Sequence, residues 1–463
     1  MIKKILIADR GEIALRVIRA CKELGIETVA VHSEADALSL HVRHAEEDVC
    51  IGPAPAKSSY RNVANIISAA ELTDVDAIHP GYGPLAENAE FAEVCESCQL
   101  KFIGPPADAI RRMGDKAVAR QSMLAAGVPV IPGSDAELES LEQTRQLATE
   151  TGFPLRLKAV AGGGGRGMRV VQSMDQLEEA WNLGRLEARA AFASDAMYME
   201  RSLERARHIE IQMLGDEHGN LVHVGERECS IQRRHQKLLE ESPSPAVDRE
   251  LRGRLGAAAL AGASSVGFCS AGTVEFLVDA DENFYFLEMN TRIQVEHPVT
   301  EMVSGLDLIK EQIRIAAGES LGYAQEAVSL RGHALECRIN AEDPSRNFIP
   351  SAGTISALHL PGGHGVRIDS HIYQGYTIPA YYDSLLAKVV AHGRDRREAI
   401  DKMRRVLEEF TIEGVATTLP FHRAILEDAG FVSGAFHTEY VSETPSLLEA
   451  ATVAPAGAGA TVA

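Results

Sequence analysis

The chain has 463 residues, more than one hydrophobic core usually supports, so two or three domains are expected. Hydrophobic residues make up 45% and charged residues 24% of it, a composition typical of ordinary globular proteins. The formal net charge of −20 argues against a nucleic-acid partner, because a phosphate backbone requires a basic surface. No apolar run approaches the roughly 20 residues that span a bilayer.

The first hundred residues alternate short apolar runs with amphipathic stretches. The apolar start is broken at once by Asp9 and Arg10, which indicates a first strand and not a signal peptide. This alternation predicts a doubly wound, mainly parallel sheet. The loop 79–83 follows a predicted strand, and ligands of such sheets bind beyond the carboxyl ends of the strands. We predict strands at 5–8, 28–32, 49–52, 77–79 and 102–104, and helices at 12–24 and 63–70.

Two further regions and a tail follow. The second region holds a glycine cluster between two β-like segments and then a long helix at about 174–190. Beyond it, strand signals at 208–214, 221–226, 273–277 and 284–288 predict an α+β domain on an antiparallel sheet. Residues 447–463 are almost entirely Ala, Val, Thr, Pro and Gly, which predicts a disordered tail.

The cysteines point to a reducing compartment. There are seven, an odd number, and they are scattered. Cys95 and Cys98 form a CxxC in a helical-looking stretch with no second pair near it, so we interpret them as ordinary half-buried cysteines and not as a zinc or redox site. The expected location is the cytoplasm.

The glycine cluster at 162–167 fits neither common nucleotide motif. A Rossmann turn would lead into a helix, but 168–171 reads as a strand, and Met168 stands where a Walker motif has lysine. What remains is a strand–glycine loop–strand flap whose amides can close over phosphates, with Lys158 adding a point charge. The alternative is a mobile loop without a ligand.

Two acidic residues are predicted to meet on a hairpin. Glu275 and Glu288 lie in strands separated by the turn-forming segment 279–283. Because like charges on paired strands repel, a cation is expected between them. With Asn290 nearby, these oxygen ligands suit Mg²⁺ bound together with nucleotide phosphates. The alternative is two solvated glutamates on an open face.

Two polar segments suit anion binding. In 288–298, Arg292, Gln294 and Glu296 would share one face if the segment were extended. An arginine beside a carboxylate can hold a planar anion next to a base. The segment 226–237 is equally polar, and its acidic flanks favour an anion-binding loop over a nucleic-acid patch.

These motifs together resemble the biotin carboxylase family of the ATP-grasp superfamily, from Ile5 to about Tyr440. The resemblance implies a Rossmann-like domain at 1–128, an ATP-grasp lid with a glycine-rich flap at 129–203, and a C-terminal domain with an antiparallel sheet at 204–446. The matching stretches are 10–14, 79–83, 113–116, 162–167, 232–237, 288–301 and 336–344.

The resemblance also assigns site residues by position. The implied ATP ligands are Lys116, Lys158, Gly163, Gly164, Gly165, Glu200, Leu203, His208, Gln232 and His235. The implied metal ligands are Glu275, Glu288 and Asn290. The implied bicarbonate and biotin residues are Lys237, Arg292, Gln294 and Val295 for bicarbonate, Glu296 as the general base, Arg338 facing biotin, and Tyr82 on the substrate side. For Arg338 the alternative is a structural ion pair with Glu336 or Glu342.

The implied reaction is carboxylation of biotin on a separate carrier protein, through carboxyphosphate, with ATP, bicarbonate and Mg²⁺, or Mn²⁺ as the alternative metal. No Ala-Met-Lys-Met motif occurs, so the biotin carrier and the carboxyltransferase are expected to be other chains. The expected host is acetyl-CoA carboxylase in fatty-acid synthesis. The alternatives are a propionyl-CoA or pyruvate carboxylase, another ATP-grasp ligase, and a catalytically silent protein that only binds nucleotide.

The resemblance further implies a homodimer, for which helix 12–24 offers Arg16, Arg19 and Glu23. Five positions depart from the pattern of the family. None is a metal or base residue, but the sequence does not predict how they change the affinity for ATP. These are Asp9, Pro84, Ala86, Arg156 and Arg201.

Overall fold

A parallel sheet forms the N-terminal part of the chain. The computed structural model describes residues 2–134, 136–160, 168–192 and 194–450. The strands of the first sheet are β1 (Lys4–Ile7), β2 (Glu27–His32), β3 (Glu47–Cys50), β4 (Ala77–His79) and β5 (Lys101–Phe102). They are all parallel, in the order β3-β2-β1-β4-β5, which confirms the predicted sheet. The helices of this part are α1 (Gly11–Glu23), α2 (Leu40–His44), α3 (Val63–Leu72), α4 (Ala89–Ser97), α5 (Ala107–Gly114) and α6 (Lys116–Ala125).

Most of helix α1 packs against the rest of the chain. Its apolar side, including Val17 and Ile18, packs in a core with residues of β1. Arg16, which we expected at a dimer interface, is buried and paired with Glu301 at 3.0 Å and with Asp307 at 2.6 Å. Arg19 is exposed.

The lid is a small antiparallel sheet with two helices. It comprises α7 (Leu141–Thr151), β6 (Leu155–Ala159), β7 (Met168–Val171), α8 (Met174–Phe192) and β8 (Met197–Arg201). The strand order is β7-β6-β8, and Trp181 of α8 lies in the core beneath the sheet. The predicted flap glycines fall between β6 and β7 and lie outside the described residues.

The third part is built on eight antiparallel strands. Its first elements are β9 (Arg207–Gly215), β10 (Leu221–Arg233), β11 (Gln236–Ser242), α9 (Arg249–Ser265), β12 (Ser270–Val278), β13 (Phe284–Asn290), α10 (His297–Ser304), α11 (Leu308–Ala316) and β14 (His333–Asn340). Short strands follow: β15 (Glu342–Asp343), β16 (Ile349–Pro350), β17 (Gly353–Thr354) and β18 (Ala357–His359). The last elements are β19 (Val366–Ser370), β20 (Thr377–Ile378), β21 (Leu385–Gly393), α12 (Arg396–Glu409), β22 (Thr411–Glu413), α13 (Leu419–Glu427), α14 (Ala429–Ser433), α15 (Tyr440–Glu443) and α16 (Ser446–Ala450).

The large sheet has the order β13-β12-β9-β10-β11-β14-β21-β19, and the short strands pair as β15-β16, β17-β20 and β18-β22. All neighbouring strands of the large sheet are antiparallel, as predicted. In β9 the alternate residues Ile209 and Ile211 enter a core that packs on α9. Because side chains alternate along a strand, His208, Glu210 and Gln212 point to the opposite face, where the functional site lies.

The prediction of a disordered tail from residue 447 is wrong for its first four residues. Helix α16 continues to Ala450, and Leu447 is buried in the C-terminal core. The helix packs on α13, a contact that composition alone did not reveal. Residues 451–463 lie outside the described part of the chain.

Within the described ranges, none of the helices is both long and apolar enough to cross a membrane.

Candidate active site

A cavity of about 1320 Å³ brings together most of the predicted site residues. Gly163, Gly164 and Gly165 lie outside the described residues. Lys116 begins α6, is exposed, and is not part of the cavity wall. The predicted residues that line the cavity are Tyr82, Lys158, Glu200, Leu203, His208, Gln232, His235, Lys237, Glu275, Glu288, Asn290, Arg292, Gln294, Val295, Glu296 and Arg338.

Lys237 is the cationic centre of this cavity. Its Nζ contacts Glu210 at 2.5 Å, Glu275 at 3.0 Å and Glu296 at 2.6 Å. Burial alone would lower the pKa of Lys237, but the three carboxylates outweigh it and raise the pKa well above its usual value. One ammonium therefore stays charged among three acidic groups.

The predicted hairpin of β12 and β13 is present. Glu275 and Glu288 are directly paired across the two strands. Glu275 also contacts His208 at 2.8 Å. Burial would raise the pKa of Glu275, but Lys237 and His208 outweigh it and lower the pKa. The Glu288 side chain is open to the cavity, and the nearby charge of Glu275 is the main cause that raises its pKa.

This hairpin fits a hard divalent cation. The two carboxylates repel each other, and a cation between them would remove that repulsion while using the oxygen ligands that Mg²⁺ prefers. Asn290 lies beside them, and its Nδ2 donates to Glu275 at 3.0 Å. Its Oδ1 accepts from Arg292 at 3.1 Å, so a ligand role for Asn290 would require that bond to open.

Glu296 lies between two cations. Its carboxylate contacts Lys237 at 2.6 Å and the Nη2 of Arg338 at 2.9 Å. Burial would raise the pKa of Glu296, but Lys237, Arg338 and Arg227 outweigh it and hold the pKa well below its usual value. Glu296 is therefore ionised and able to accept a proton.

The segment after β13 differs from its predicted form. Residues 291–296 form an irregular loop that ends where α10 begins, not an extended strand. Arg292, Gln294 and Glu296 still line one cavity. Arg292 donates from Nε to Glu87 at 2.9 Å. Glu87 was not among the predicted site residues, although it lies only four residues beyond the predicted wall loop 79–83.

Arg227 is fully buried beneath the cavity. It was not among the predicted site residues. Its guanidinium donates to Glu210 at 2.5 Å, to Gln212 at 2.6 Å and to Gln294 at 2.8 Å. It thereby holds residues of β9 and the 291–296 loop in one arrangement. Polar and apolar residues alternate along β9, and this alternation could have indicated a strand with one polar face.

The lid contributes Lys158 and Arg156 to the cavity wall. Lys158 is paired with Glu200 on the neighbouring strand. Burial lowers the pKa of Lys158, against the charge of Glu200. Arg156, on the same face, donates to the Ser202 hydroxyl at 3.1 Å and lies 3.6 Å from Glu439. Its charge is therefore engaged at the rim of the cavity.

The other departures from the family pattern differ in position. Pro84 lines the cavity, Ala86 is buried, and Arg201 is exposed at the end of β8. Asp9 is buried and accepts backbone N–H bonds from Arg10 at 2.8 Å, Tyr82 at 3.1 Å and Gly83 at 3.0 Å. It therefore anchors the loop that carries Tyr82.

Asp9→Asn tests the charge of this anchor. Burial, opposed by the backbone bonds, raises the pKa of Asp9 from 3.8 to about 6. The protonated form is thus favoured in the folded chain, and stability is lost as the pH rises through that interval. The variant should gain up to about 3 kcal/mol relative to the parent chain between about pH 4 and about pH 7. Melting temperatures of both chains across this range are the measurement, and a difference independent of pH would contradict it.

Three family models match consecutive parts of the chain. The biotin carboxylase N-terminal domain matches residues 1–110, the ATP binding domain of the carbamoyl-phosphate synthase L chain matches 115–324, and the biotin carboxylase C-terminal domain matches 336–443. Biotin carboxylase 1 of Bacillus subtilis is 58% identical over 442 residues, which are 95% of this chain and 98% of the relative. The chain belongs to the biotin carboxylase family. It is an ATP-dependent ligase.

Other members of the family match to a similar extent. A pyruvate carboxylase subunit of Methanothermobacter thermautotrophicus is 52% identical, covering 96% of this chain and 90% of the relative. A solved structure of the biotin carboxylase domain dimer of Hydrogenobacter thermophilus 2-oxoglutarate carboxylase, in complex with MgADP, ADP and bicarbonate, is 48% identical. It superposes with a TM-score of 0.91 and covers 97% of this chain and 99% of that one.

Proposed function

We propose that the protein uses MgATP and bicarbonate to carboxylate biotin carried on a separate protein, with carboxyphosphate as the intermediate. The observation that carries this proposal is the position of Glu296 between Lys237 and Arg338 in the cavity wall. The cations can attract bicarbonate, and the carboxylate between them can accept its proton. The Hydrogenobacter thermophilus relative, crystallised with MgADP and bicarbonate, supports the same pair of substrates.

The first step is attack of bicarbonate on ATP. Lys237 and Arg292 hold the anion, and Glu296 takes its proton so that a bicarbonate oxygen can attack the γ-phosphorus. Glu275 and Glu288 would hold Mg²⁺, or Mn²⁺, which when bound offsets charge on the transferring phosphoryl group. ADP leaves, and carboxyphosphate remains.

The nucleotide lies toward the lid in this proposal. Lys158, Gln232 and His235 line the cavity and are assigned to the nucleotide, and Lys116 contributes charge near Lys158. Glu200 and Leu203 border the adenine, and exclusion of water from the site would protect carboxyphosphate from hydrolysis. We divide the chain at 128 and 203, and none of the six sheets in the described residues crosses either boundary.

The second step transfers the carboxyl group. Carboxyphosphate breaks down to CO2 and phosphate, the phosphate removes the ureido proton of biotin, and the ureido nitrogen attacks CO2. Negative charge then develops on the ureido oxygen, and the Arg338 guanidinium stabilises it. Tyr82 and Val295 line the same cavity, and we assign them to the substrate.

Arg338→Gln should separate the two steps. Bicarbonate-dependent ATP cleavage should stay largely intact, because Arg338 acts after it, while carboxybiotin formation falls by about 10²–10³-fold. Both rates and the melting temperature are to be measured on one preparation. Equal loss of both rates would contradict the role of Arg338 and favour a structural ion pair.

The partners in this proposal are a biotin carrier protein, a carboxyltransferase and a second copy of the chain. The homodimer is supported by the Hydrogenobacter thermophilus structure, which is described as a dimer. The proposed host is acetyl-CoA carboxylase in fatty-acid synthesis. A pyruvate carboxylase is the second candidate, because the pyruvate carboxylase relative from Methanothermobacter thermautotrophicus matches over 96% of the chain.

Transfer of labelled bicarbonate tests this function. The full chain with MgATP and biotinylated carrier protein should place acid-labile label on the carrier, one per ADP formed. Adding the carboxyltransferase from the same source with acetyl-CoA, propionyl-CoA or pyruvate then identifies the acceptor. Absence of label on the carrier while ADP accumulates would contradict the proposal.

A further inference from the structure

The guanidinium of Arg338 bridges two buried carboxylates, not one. Its Nη2 donates to Glu296 at 2.9 Å, and its Nε donates to Glu240 at 2.6 Å. The Glu240 side chain on β11 is fully buried. The sequence suggested Glu336 or Glu342 as structural partners of Arg338, whereas the structure pairs it with Glu240, a residue that has no part in the proposed chemistry.

A β-bulge places Glu240 on this side of the sheet. Gln232 pairs with Lys237, and Ile231 pairs with Leu239, so two steps along β11 match one step along β10. The inserted residue changes the alternation of the strand. Lys237 and Glu240, three residues apart, would otherwise face opposite ways, but both now reach the residues around Glu296.

The two partners of Arg338 change differently during the proposed reaction. Once Glu296 has taken the proton of bicarbonate it is neutral, and its bond to Arg338 loses the strength that an ionised acceptor provides. Glu240 receives no proton in that step and contacts Nε and Nη2 of the same guanidinium, each at 2.6 Å. Burial raises the pKa of Glu240 to about 7, against the charge of Arg338. Above that pH its carboxylate attracts Arg338 in a buried setting where the attraction is weakly screened.

We propose, resting on the function argued above, that Glu240 is a positioning residue: it holds Arg338 in place for the biotin step after Glu296 has been neutralised. Glu240 does not line the cavity in which we propose that ATP and bicarbonate bind. It acts through Arg338, so its effect should be confined to carboxyl transfer.

Glu336 provides a matched control. It is also fully buried, is paired directly with Glu240 across β11 and β14, and neither of its oxygens has a hydrogen-bond partner in the described residues. Burial raises its pKa well above the usual value, against the charge of Lys388. Glu336→Gln therefore leaves both hydrogen bonds of the Arg338 guanidinium in place.

The experiment compares Glu240→Gln, Glu240→Asp and Glu336→Gln in the full chain. In Glu240→Gln we expect carboxybiotin formation to fall by about 10–100-fold, because a displacement of about 1 Å can cost that much. Bicarbonate-dependent ATP cleavage without biotin should stay within about threefold, and the KM for biotin should change less than kcat. Glu240→Asp, which keeps the charge, should recover part of the lost rate, and Glu336→Gln should match the parent chain in both rates.

Three results would overturn the inference. They are equal loss of both rates in Glu240→Gln, unchanged carboxybiotin formation in that variant, or an equal defect in Glu336→Gln. A parent chain that forms no carboxybiotin at all would instead refute the proposed function, so the two failures are distinguishable.

Discussion

Replacing Glu296 with alanine is expected to abolish ATP cleavage and carboxybiotin formation together. Without the base, bicarbonate keeps its proton and attacks poorly, and general bases of this kind contribute about 10²–10⁴-fold to rates. Both rates should therefore fall by that factor, unlike in Arg338→Gln, where they separate. Steady-state ADP release and carboxybiotin formation on the same preparation are the measurement.

Loss of folding must be excluded in this experiment. Lys237 keeps Glu210 and Glu275 as partners in the variant, so the cavity retains most of its charge pairing. Glu301→Gln is the matched control, because Glu301 is a buried carboxylate paired with Arg16 at 3.0 Å and with Arg367 at 2.6 Å, away from the cavity wall. It should lower the melting temperature without lowering turnover per folded molecule. If Glu296→Ala kept near-normal ATP cleavage, Glu296 would not be the base.

Glu288→Gln is expected to reduce turnover by about 10²–10³-fold, since a bound metal supplies several kcal/mol to phosphoryl transfer. The substitution keeps the shape of the side chain but removes one of the two carboxylates that face each other on the hairpin. Affinity for Mn²⁺, measured by titration without nucleotide, should fall in parallel.

The control for this variant lies at the tip of the same hairpin. Glu282 is exposed between β12 and β13, and Glu282→Gln removes the same charge away from the cavity. It should leave both turnover and metal affinity unchanged. Near-normal rates for Glu288→Gln at saturating Mg²⁺ would mean that the metal is bound elsewhere.

Much of the fold and of the site could be predicted from short sequence patterns. The turn-forming segment 279–283 separates two short strands, and this spacing alone predicts that Glu275 and Glu288 meet. The wall loop 79–83 was likewise predictable, because it follows a strand of a parallel sheet. Such features depend on residues close together in the sequence.

Contacts between distant strands could not be predicted. The alternative to a biotin-facing role for Arg338 was an ion pair with Glu336 or Glu342 in its own segment, whereas Arg338 pairs across the sheet with Glu240 and with Glu296 at the end of the 291–296 loop. That choice depends on the register of β11 against β14 and on a bulge, neither of which the sequence pattern encodes. The hydrogen bonds of Arg227 depend in the same way on the pairing of β9 with β10.

The most direct test of the account is MgATP hydrolysis by the purified full chain, measured with and without bicarbonate and with and without free biotin. We expect hydrolysis to require bicarbonate, because bicarbonate is the nucleophile that Glu296 activates. Added biotin should accelerate ATP hydrolysis, because carboxyl transfer to biotin consumes carboxyphosphate. ATP turnover that responds to neither bicarbonate nor biotin would contradict the account.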